Sequence, residues 1–230
     1  MSIKFLQLNV EKKAHIESVS NFLKENDFDV CCFQEMHEDT AKDLAEKYGY
    51  FFIASQRKHS SGTSPVIFSK TPFIFSKEYF LIGTDLRYRN GEYFDFSLLE
   101  ARVEFSGVKY NILNTHLPVN YPGSEISEYQ LECYKTLKEI LKTKEDFLFL
   151  ADTNSPRGTF IFDDLAKNYK DNIPESLSST LDPILHRAKG IEYVVDCVFS
   201  TKNYEVSDVK IHEGVSDHKG ISGILTIKVN

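Results

Sequence analysis

The chain has 230 residues, of which 41% are hydrophobic and 27% charged, and its formal net charge is −7 at pH 7. This length and apolar content are sufficient for a sizeable core, so we expect residues 1–230 to form one domain. The negative charge disfavours a protein that coats nucleic acid through bulk positive charge, but it does not exclude a local basic rim.

Cysteine usage and the N-terminal segment indicate the cellular setting. The four cysteines show neither C-x-x-C spacing nor the density of a disulfide scaffold, which favours reduced thiols. The N-terminal apolar run is too short and too interrupted for a signal peptide, and no segment approaches the ~20 apolar residues of a membrane span. We therefore expect a soluble, cytoplasmic protein with no membrane span, and a monomer.

Hydrophobic periodicity predicts an alternation of strands and helices. Short apolar or alternating runs indicate strands, whereas apolar residues at helical spacing, such as Val19, Phe22 and Leu23, indicate amphipathic helices. Ser106 and Gly107 mark the turn of a β-hairpin. The predicted strands are 3–10, 29–33, 50–54, 65–68, 73–81, 94–105, 108–114, 147–151, 193–200 and 221–229. The predicted helices are 12–24, 38–47, 125–142 and 160–166, and 172–189 is predicted to be irregular.

Residues 145–155 carry the most informative pattern. The apolar run 147–151 predicts a fully buried strand, and it is followed by Asp152 and Asn154, whose spacing lets both face one side of the strand end. A carboxylate and an amide on rigid backbone offer a base for water and a donor for developing negative charge, as phosphate chemistry requires. An Asp/Asn turn that merely closes the strand would give the same pattern.

Other predicted strands also end in polar residues. The first strand reaches Asn9, and the second continues into Glu35. His116 follows the second hairpin strand, beside a loop at 117–124 that contains proline and glycine, and this position leaves structural and catalytic roles equally open.

The last third of the chain contributes three further polar residues. Asp196 lies within an apolar strand, where a charge is costly unless it has a partner. Asp217 and His218 come just before the closing strand, and their side chains point different ways on an extended segment. Either of the two can therefore act while the other supports it.

Three short basic stretches, 57–59, 87–89 and 187–189, stand out against the acidic background. A solvated surface is the ordinary interpretation of such stretches. Because they lie in loops between strands that end in polar residues, a rim for an anionic substrate is the alternative.

In chain order, these polar strand ends resemble the motif series of the endonuclease/exonuclease/phosphatase superfamily, which has the deoxyribonuclease I-like fold. The resemblance covers nearly the whole chain. Ala151 replaces the usual glycine of the Gly-Asp-x-Asn motif, and Glu192 with Tyr193 offers a competing alignment for the motif that contains Asp196. The matching residues are Asn9, Gln34-Glu35, Thr115-His116, Ala151-Asp152-Thr153-Asn154, Asp196, and Ser216-Asp217-His218.

The resemblance implies an α/β fold, a four-layer α/β/β/α sandwich of two packed mixed sheets with flanking helices and a catalytic cleft at one edge. It also implies a phosphoric ester hydrolase that depends on Mg²⁺ or Mn²⁺. The implied metal ligands are Asn9 and Glu35, whose hard oxygen atoms suit these ions, and Asp217, which binds the metal or a water next to it.

The resemblance further implies a role for each catalytic residue. Asp152 is the general base for the attacking water, and Asn154 donates to the phosphoryl oxygens. His218, oriented by Asp196, steadies the phosphate or shares the proton transfer. His116 contacts the phosphate or protonates the leaving group. The sequence leaves open which of Asp152, His116 and His218 transfers which proton.

Two substrate classes stay open. A nuclease-like enzyme that cleaves phosphodiester bonds of DNA or RNA is slightly favoured, because the loops are basic against an acidic background. A phosphatase or phosphodiesterase for a small or lipid-linked phosphate, of the inositol phosphate or sphingomyelin type, fits the negative overall charge better. An inactive binding module would require lost ligands, and none is missing.

Overall fold

The computed structural model of the chain describes residues 1–56, 59, 61–81, 96–119 and 126–228, and the backbone of 88–89 and 92–93. These parts contain two mixed sheets of six strands each, a short two-stranded ribbon and four helices. The helices are α1 (Ile16–Glu25), α2 (Glu38–Tyr48), α3 (Glu128–Lys142) and α4 (Phe160–Asn168).

The two sheets have the same arrangement of strands. In each, the central pair is parallel and the outer pairs are antiparallel. From edge to edge, the first sheet contains β13 (Tyr204–His212), β14 (Gly220–Ile227), β1 (Ser2–Asn9), β2 (Val30–His37), β4 (Thr63–Ser69) and β3 (Phe51–Ala54). The second contains β11 (Lys170–Asp171), β12 (Asp196–Ser200), β10 (Leu148–Asp152), β9 (Val108–His116), β8 (Ser97–Phe105) and β5 (Phe73–Phe80). The ribbon pairs β6 (Tyr88–Arg89) with β7 (Glu92–Tyr93).

Both faces of the central strands are buried, which explains why their sequences are nearly continuous apolar runs. On β1, Phe5 packs into the larger cluster, which joins the two sheets and continues beneath α3 and α4. Its neighbours Leu6 and Leu8 face the other way, into a cluster with α1 and α2 that includes Val19 and Leu44. The predicted four-layer sandwich of two packed sheets with flanking helices is thus confirmed.

The predicted elements are present with shifted ends, and each shift has a local cause. Helix α1 begins at Ile16 rather than at residue 12, because Glu11 and Lys12 have the left-handed φ values of 45° and 65°. Strand β12 begins at Asp196 rather than at 193, because the preceding carbonyls pair with loops; that of Val195, for example, accepts from the backbone N–H of Thr153.

One long strand was not predicted. β13 is an edge strand whose residues alternate between buried and exposed only in its first half. Its ladder with β14 is interrupted between Ser207 and Lys210, where Asp208 has a φ of 50°. A bulge of this kind breaks the period-2 pattern by which a strand is recognised in the sequence.

Several predicted positions lie outside the described residues. They are the starts of the strand 94–105 and of the helix 125–142, the end of the strand 221–229, and residues 120–124 of the loop after His116. Within the described part, α3 begins at Glu128 and is capped by Ser127, whose side chain accepts from the N–H of Gln130. No helix of the described residues is both long and apolar enough to cross a membrane.

Candidate active site

The registers of the two sheets bring polar strand ends side by side. In the first sheet, the parallel pair β1–β2 sets Asn9 opposite Gln34. In the second, the parallel pair β9–β10 sets His116 opposite Asp152, and the antiparallel pair β10–β12 sets Asp196 opposite the same Asp152. Because the sheets pack against each other, the predicted residues of both sheets meet at one edge of the sandwich.

A bulge in β2 presents Glu35. The ladder between β2 and β4 slips by one residue after Phe33, and Glu35 has a φ of 53°, a conformation that non-glycine residues rarely adopt. Its carboxylate is partly exposed between two buried neighbours. Glu35 Oε1 lies 3.5 Å from Nδ2 of Asn9 and 3.9 Å from Nε2 of His116.

Asp152 lies at the centre of the site and is buried. Its Oδ1 accepts a 2.9 Å hydrogen bond from the backbone N–H of Asn154, and its Oδ2 accepts one of 2.9 Å from Nδ2 of Asn9. The same Oδ2 lies 3.6 Å from Nε2 of His116 and 3.9 Å from Nε2 of His218. One carboxylate therefore faces a metal-ligand candidate and two imidazoles.

His218 is held by a second buried carboxylate. Its Nδ1 lies 2.9 Å from Oδ2 of Asp196, whose Oδ1 accepts a 2.7 Å hydrogen bond from Nε2 of Gln7. Burial alone would lower the pKa of His218, but the charges of Asp196 and Asp152 and the hydrogen bond that His218 donates to Asp196 raise this pKa to about 10. At neutral pH His218 is thus an imidazolium whose Nε2 faces Asp152.

Asn154 contacts other groups of the protein at the end of β10. It lies beyond the end of β10 with a left-handed φ of 47°. Its Nδ2 donates to the carbonyl of Leu117 at 2.9 Å and lies 2.9 Å from Nε2 of His116. Nδ2 can donate to Nε2 of His116 only in the tautomer whose Nε2 carries no proton. In this state Asn154 orients His116, and its predicted contact with a phosphoryl oxygen stays a prediction.

Asp217 is buried beside this group. Its Oδ1 accepts a 3.2 Å hydrogen bond from Ser216. Burial raises the pKa of Asp217, and the negative charges of Glu11 and Glu35 act in the same direction, whereas His218 opposes them.

The two candidates for the motif that contains Asp196 lie in different environments. Asp196 is completely buried next to His218, whereas Glu192 is exposed on the loop before β12. Thr180, a residue that the sequence did not single out, supports Asp196: its Oγ1 accepts hydrogen bonds of 3.1 and 3.2 Å from the N–H groups of Val195 and Asp196.

Sequence reasoning also missed the polar contacts that join the two sheets behind the site. Gln34 donates to Oδ1 of Asn114 at 2.7 Å, and Nδ2 of Asn114 donates to the carbonyls of Phe33 and Val66. Gln7 gives the corresponding bond to Asp196. Its signal in the sequence was a polar residue on an otherwise apolar face of a strand, which needs a buried partner.

Three groups of potential metal ligands occur in the described part of the chain. In each group, one ligand atom per residue lies within 4.8 Å of the others. The groups are Asp152, Asp196 and His218; Glu11, His15 and Asp217; and His186, Asp217 and His218.

Most of the predicted basic rim lies outside the described residues. Arg57, Lys58 and Arg87 lie outside the described residues, and of Arg89 only the backbone is described. Arg187 is exposed on the loop that follows the buried Asp182.

Comparison with known proteins identifies the class. Residues 6–218 match the model of the Endonuclease/Exonuclease/phosphatase family. The chain belongs to this family, as the order of its polar strand ends predicts. No curated protein matches the chain significantly.

Solved structures share the fold at low sequence identity. An endonuclease/exonuclease/phosphatase family protein from Bacteroides thetaiotaomicron has a TM-score of 0.77 and 15% identity over 100% of this chain and 99% of that one. A mannosyl-6-phosphatase from B. thetaiotaomicron VPI-5482 has a TM-score of 0.76 and 15% identity, over 98% of this chain and 100% of its own. TDP2 from D. rerio, complexed with a single-strand DNA product, has a TM-score of 0.74 and 18% identity, over 98% and 99%.

Proposed function

We propose that this protein is a divalent-metal-dependent hydrolase of phosphate esters. The observation that carries the proposal is the position of Asp152, whose Oδ2 lies 2.9 Å from the amide of Asn9 and 3.6 and 3.9 Å from the imidazoles of His116 and His218. A base, a nearby cationic imidazole and an adjacent set of oxygen ligands are the groups that water attack on a phosphate needs. Family membership supports the same reaction class.

The donor chemistry of the site fits Mg²⁺ or Mn²⁺. Asn9, Glu35 and Asp217 would hold the ion with amide and carboxylate oxygens, the ligands that these hard cations prefer. Within the residues that the structure describes, Oδ1 of Asn9 accepts one hydrogen bond, of 3.1 Å from the N–H of Glu11, and a carbonyl-type oxygen has a second lone pair. A bound ion would polarise the phosphoryl or leaving oxygen and offset the negative charge of these carboxylates.

Three side chains of the protein would then act in the reaction. Asp152 takes the proton of the attacking water. His218, whose ring is fixed by Asp196, donates from Nε2 to a phosphoryl oxygen. His116 is oriented by Asn154 and lies on the side of Glu35. It would protonate the leaving oxygen. Each positioned acid or base of this kind contributes typically ~10²–10⁴-fold to the rate.

For the substrate, we infer a phosphodiester of nucleic acid. Support comes from the basic stretches at 57–59, 87–89 and 187–189 in an otherwise acidic chain and from the fold shared with a protein solved with a single-strand DNA product. A small phosphate is the second candidate, favoured by the net charge of −7 and by the fold shared with a mannosyl-6-phosphatase.

An activity panel tests the proposed reaction and the inferred substrate together. Wild type and Asp152→Asn are assayed with Mg²⁺ and with Mn²⁺ on abasic and nicked DNA, single-stranded RNA, inositol phosphates, sphingomyelin and mannose 6-phosphate. We expect metal-dependent turnover that Asp152→Asn removes, and the highest rate on a nucleic acid. Turnover confined to a small phosphate would overturn the substrate inference. Absence of turnover on every substrate, or equal rates for the variant, would overturn the proposed reaction.

A further inference from the structure

The loop that begins at Leu181 is fastened to the segment that carries Asp217 and His218. Leu181 pairs with His218 in an isolated antiparallel bridge, and the backbone N–H of Asp182 donates to the carbonyl of Asp217 at 2.8 Å. Asp182 is buried, and its Oδ2 accepts a 2.7 Å hydrogen bond from the N–H of Gly214. Its Oδ1 accepts two bonds of 2.9 Å from N–H groups further along the loop. The loop is therefore held in one position relative to His218.

His186 lies on this loop, half-buried, with its ring next to that of His218. The two ring centroids are 6.1 Å apart and the rings are tilted by 75°. Nδ1 of His186 lies 3.3 Å from the backbone nitrogen of Ala188 and 3.2 Å from the carbonyl oxygen of the same residue. When Nδ1 accepts from this N–H, the ring proton is on Nε2, which can then donate a hydrogen bond. Within the described residues both contacts of this ring are made by Nδ1, so Nε2 is available to a ligand.

A gap separates the side chains of His186, Asp217 and His218. One nitrogen or oxygen atom from each of the three lies within 4.8 Å of the other two. Within the part of the chain that the structure describes, no hydrogen bond joins these three side chains to one another. A hydrogen bond from nitrogen to oxygen is about 2.9 Å long, so one oxygen atom can reach two nitrogen donors that are up to about 5.8 Å apart. One oxygen atom of a ligand therefore fits between the rings of His186 and His218.

The proposed reaction benefits from a further donor at this position. Negative charge grows on the phosphoryl oxygens during attack by water, and donors that are already in place stabilise this charge. The amide of Asn154, which the sequence assigns to these oxygens, donates to the carbonyl of Leu117 and lies against His116 in this state. A donor on the side of His218 would add to the stabilisation.

We propose that His186 is a further substrate-contacting residue, whose Nε2 donates to the same phosphoryl oxygen as Nε2 of His218. Asp182 is then a positioning residue, because its carboxylate fixes the loop that carries the ring. The inference rests on the proposed function of the site, since it places a phosphate group there. Binding of a phosphate group is measured without turnover, however, so the two are tested separately.

A metal ion in the same gap is the alternative, because His186, Asp217 and His218 are potential ligands. A metal ion binds the lone pair of an imidazole nitrogen. Nδ1 of His218 is bonded to Asp196, and Nε2 lies 3.9 Å from Oδ2 of Asp152, so both nitrogens face carboxylates. Carboxylates favour N–H groups over bare lone pairs, and N–H groups suit an anionic oxygen. The charge of Asp217 would be offset by the ion proposed for it in the adjacent site.

The test measures the affinity of the full chain for inorganic phosphate by isothermal titration calorimetry, with Mg²⁺ present. His186→Asn keeps an amide near the position of Nδ1, for the contact with Ala188, and removes the atom that reaches the phosphate. We expect the dissociation constant for phosphate to rise about tenfold or more, because a hydrogen bond to a charged ligand is lost. His212→Asn is the matched control: His212 is half-buried on the edge strand β13, and its Nε2 lies 2.8 Å from Oγ of Ser222. We expect the wild-type dissociation constant for this variant.

An unchanged dissociation constant for His186→Asn, an equally large rise for His212→Asn, or no phosphate binding by wild type would overturn the proposal. If His186→Asn does not fold, as judged by circular dichroism, the decision comes from the NMR spectrum of wild type. Phosphate should shift the Nε2 signal of His186 more strongly than that of His212, and an equal or smaller shift would also overturn the proposal. Failure of the proposed reaction has a different result: no turnover in the activity panel, with a phosphate affinity that still depends on His186.

Discussion

Nε2 of Gln7 donates a 2.7 Å hydrogen bond to Oδ1 of Asp196, and this bond joins the first sheet to the second directly behind His218. Both residues are completely buried. Since Oδ2 of Asp196 holds the ring of His218, the orientation of that ring depends on a residue in the other sheet. The packing of the sandwich and the geometry of the site are therefore coupled through one amide.

Gln7→Met should destabilise the protein and reduce turnover together. Methionine keeps the approximate shape of the side chain but leaves Oδ1 of Asp196 without its donor. A buried acceptor that loses its partner costs about 1–3 kcal/mol, and this loss should appear in the free energy of unfolding measured in urea. Gln56→Met, the same change at an exposed position, is the control. Equal unfolding curves for the two variants would mean that the bond contributes nothing.

Asp152→Asn should separate chemistry from structure. The substitution removes the base and keeps the size of the side chain, so we expect turnover to fall by ~10²–10⁴-fold while the affinity for substrate changes little. Steady-state kinetics and binding to an uncleavable substrate analogue measure the two quantities. A variant with wild-type turnover and only a lower melting temperature would show that Asp152 merely closes the strand.

The order of polar strand ends was enough to predict the sandwich and the residues that converge on Asp152. It was not enough to predict the contacts of Asn154 within the protein, because these depend on a left-handed φ and on the carbonyl of Leu117, which follows another strand end. The contribution of Gln7 depends on packing between sheets, which one strand's periodicity does not encode. Strand β13 was missed because its bulge interrupts the alternation on which strand prediction depends.

The buried ion pair of Glu100 and Lys144 gives a pH-dependent prediction. Glu100 accepts hydrogen bonds of 2.7 Å from Nζ of Lys144 and from the hydroxyl of Tyr79. Burial alone would raise the pKa of Glu100, but these hydrogen bonds lower it below its ordinary value of 4.5. Because the folded pKa is below the unfolded one, the stabilisation is present above about pH 4.5 and is lost as the pH falls through the folded pKa.

Glu100→Gln should therefore reduce the free energy of unfolding by about 1–3 kcal/mol at pH 7, and by progressively less below pH 4.5. Denaturant titrations of wild type and variant at pH 7, 5 and 3.5 measure the difference. Glu104→Gln, at an exposed position of the same strand, is the control. A difference between wild type and Glu100→Gln that stays constant with pH would contradict the assigned pKa.

The salt dependence of DNA binding tests the substrate class. If Arg57, Lys58, Arg87 and Arg89 contact nucleic acid, each phosphate contact should steepen the decline of log K with log salt concentration by ~0.7–0.9. Neutralising all four should flatten this slope and weaken binding to many sequences alike. Fluorescence anisotropy at several salt concentrations measures both. If the quadruple variant has the wild-type slope and affinity, the nucleic-acid inference is wrong and a small phosphate is the favoured substrate.

The dependence of turnover on added metal tests the central claim most directly. Turnover of a phosphodiester is measured for EDTA-treated wild type, Glu35→Gln and the exposed control Glu205→Gln over a range of Mg²⁺ concentrations. Since Glu35 is proposed to hold the ion, we expect no turnover without metal, full recovery with Mg²⁺ for wild type and Glu205→Gln, and a higher Mg²⁺ requirement with a lower maximal rate for folded Glu35→Gln. Full turnover of the metal-stripped wild type, or the same Mg²⁺ requirement in all three proteins, would contradict the account.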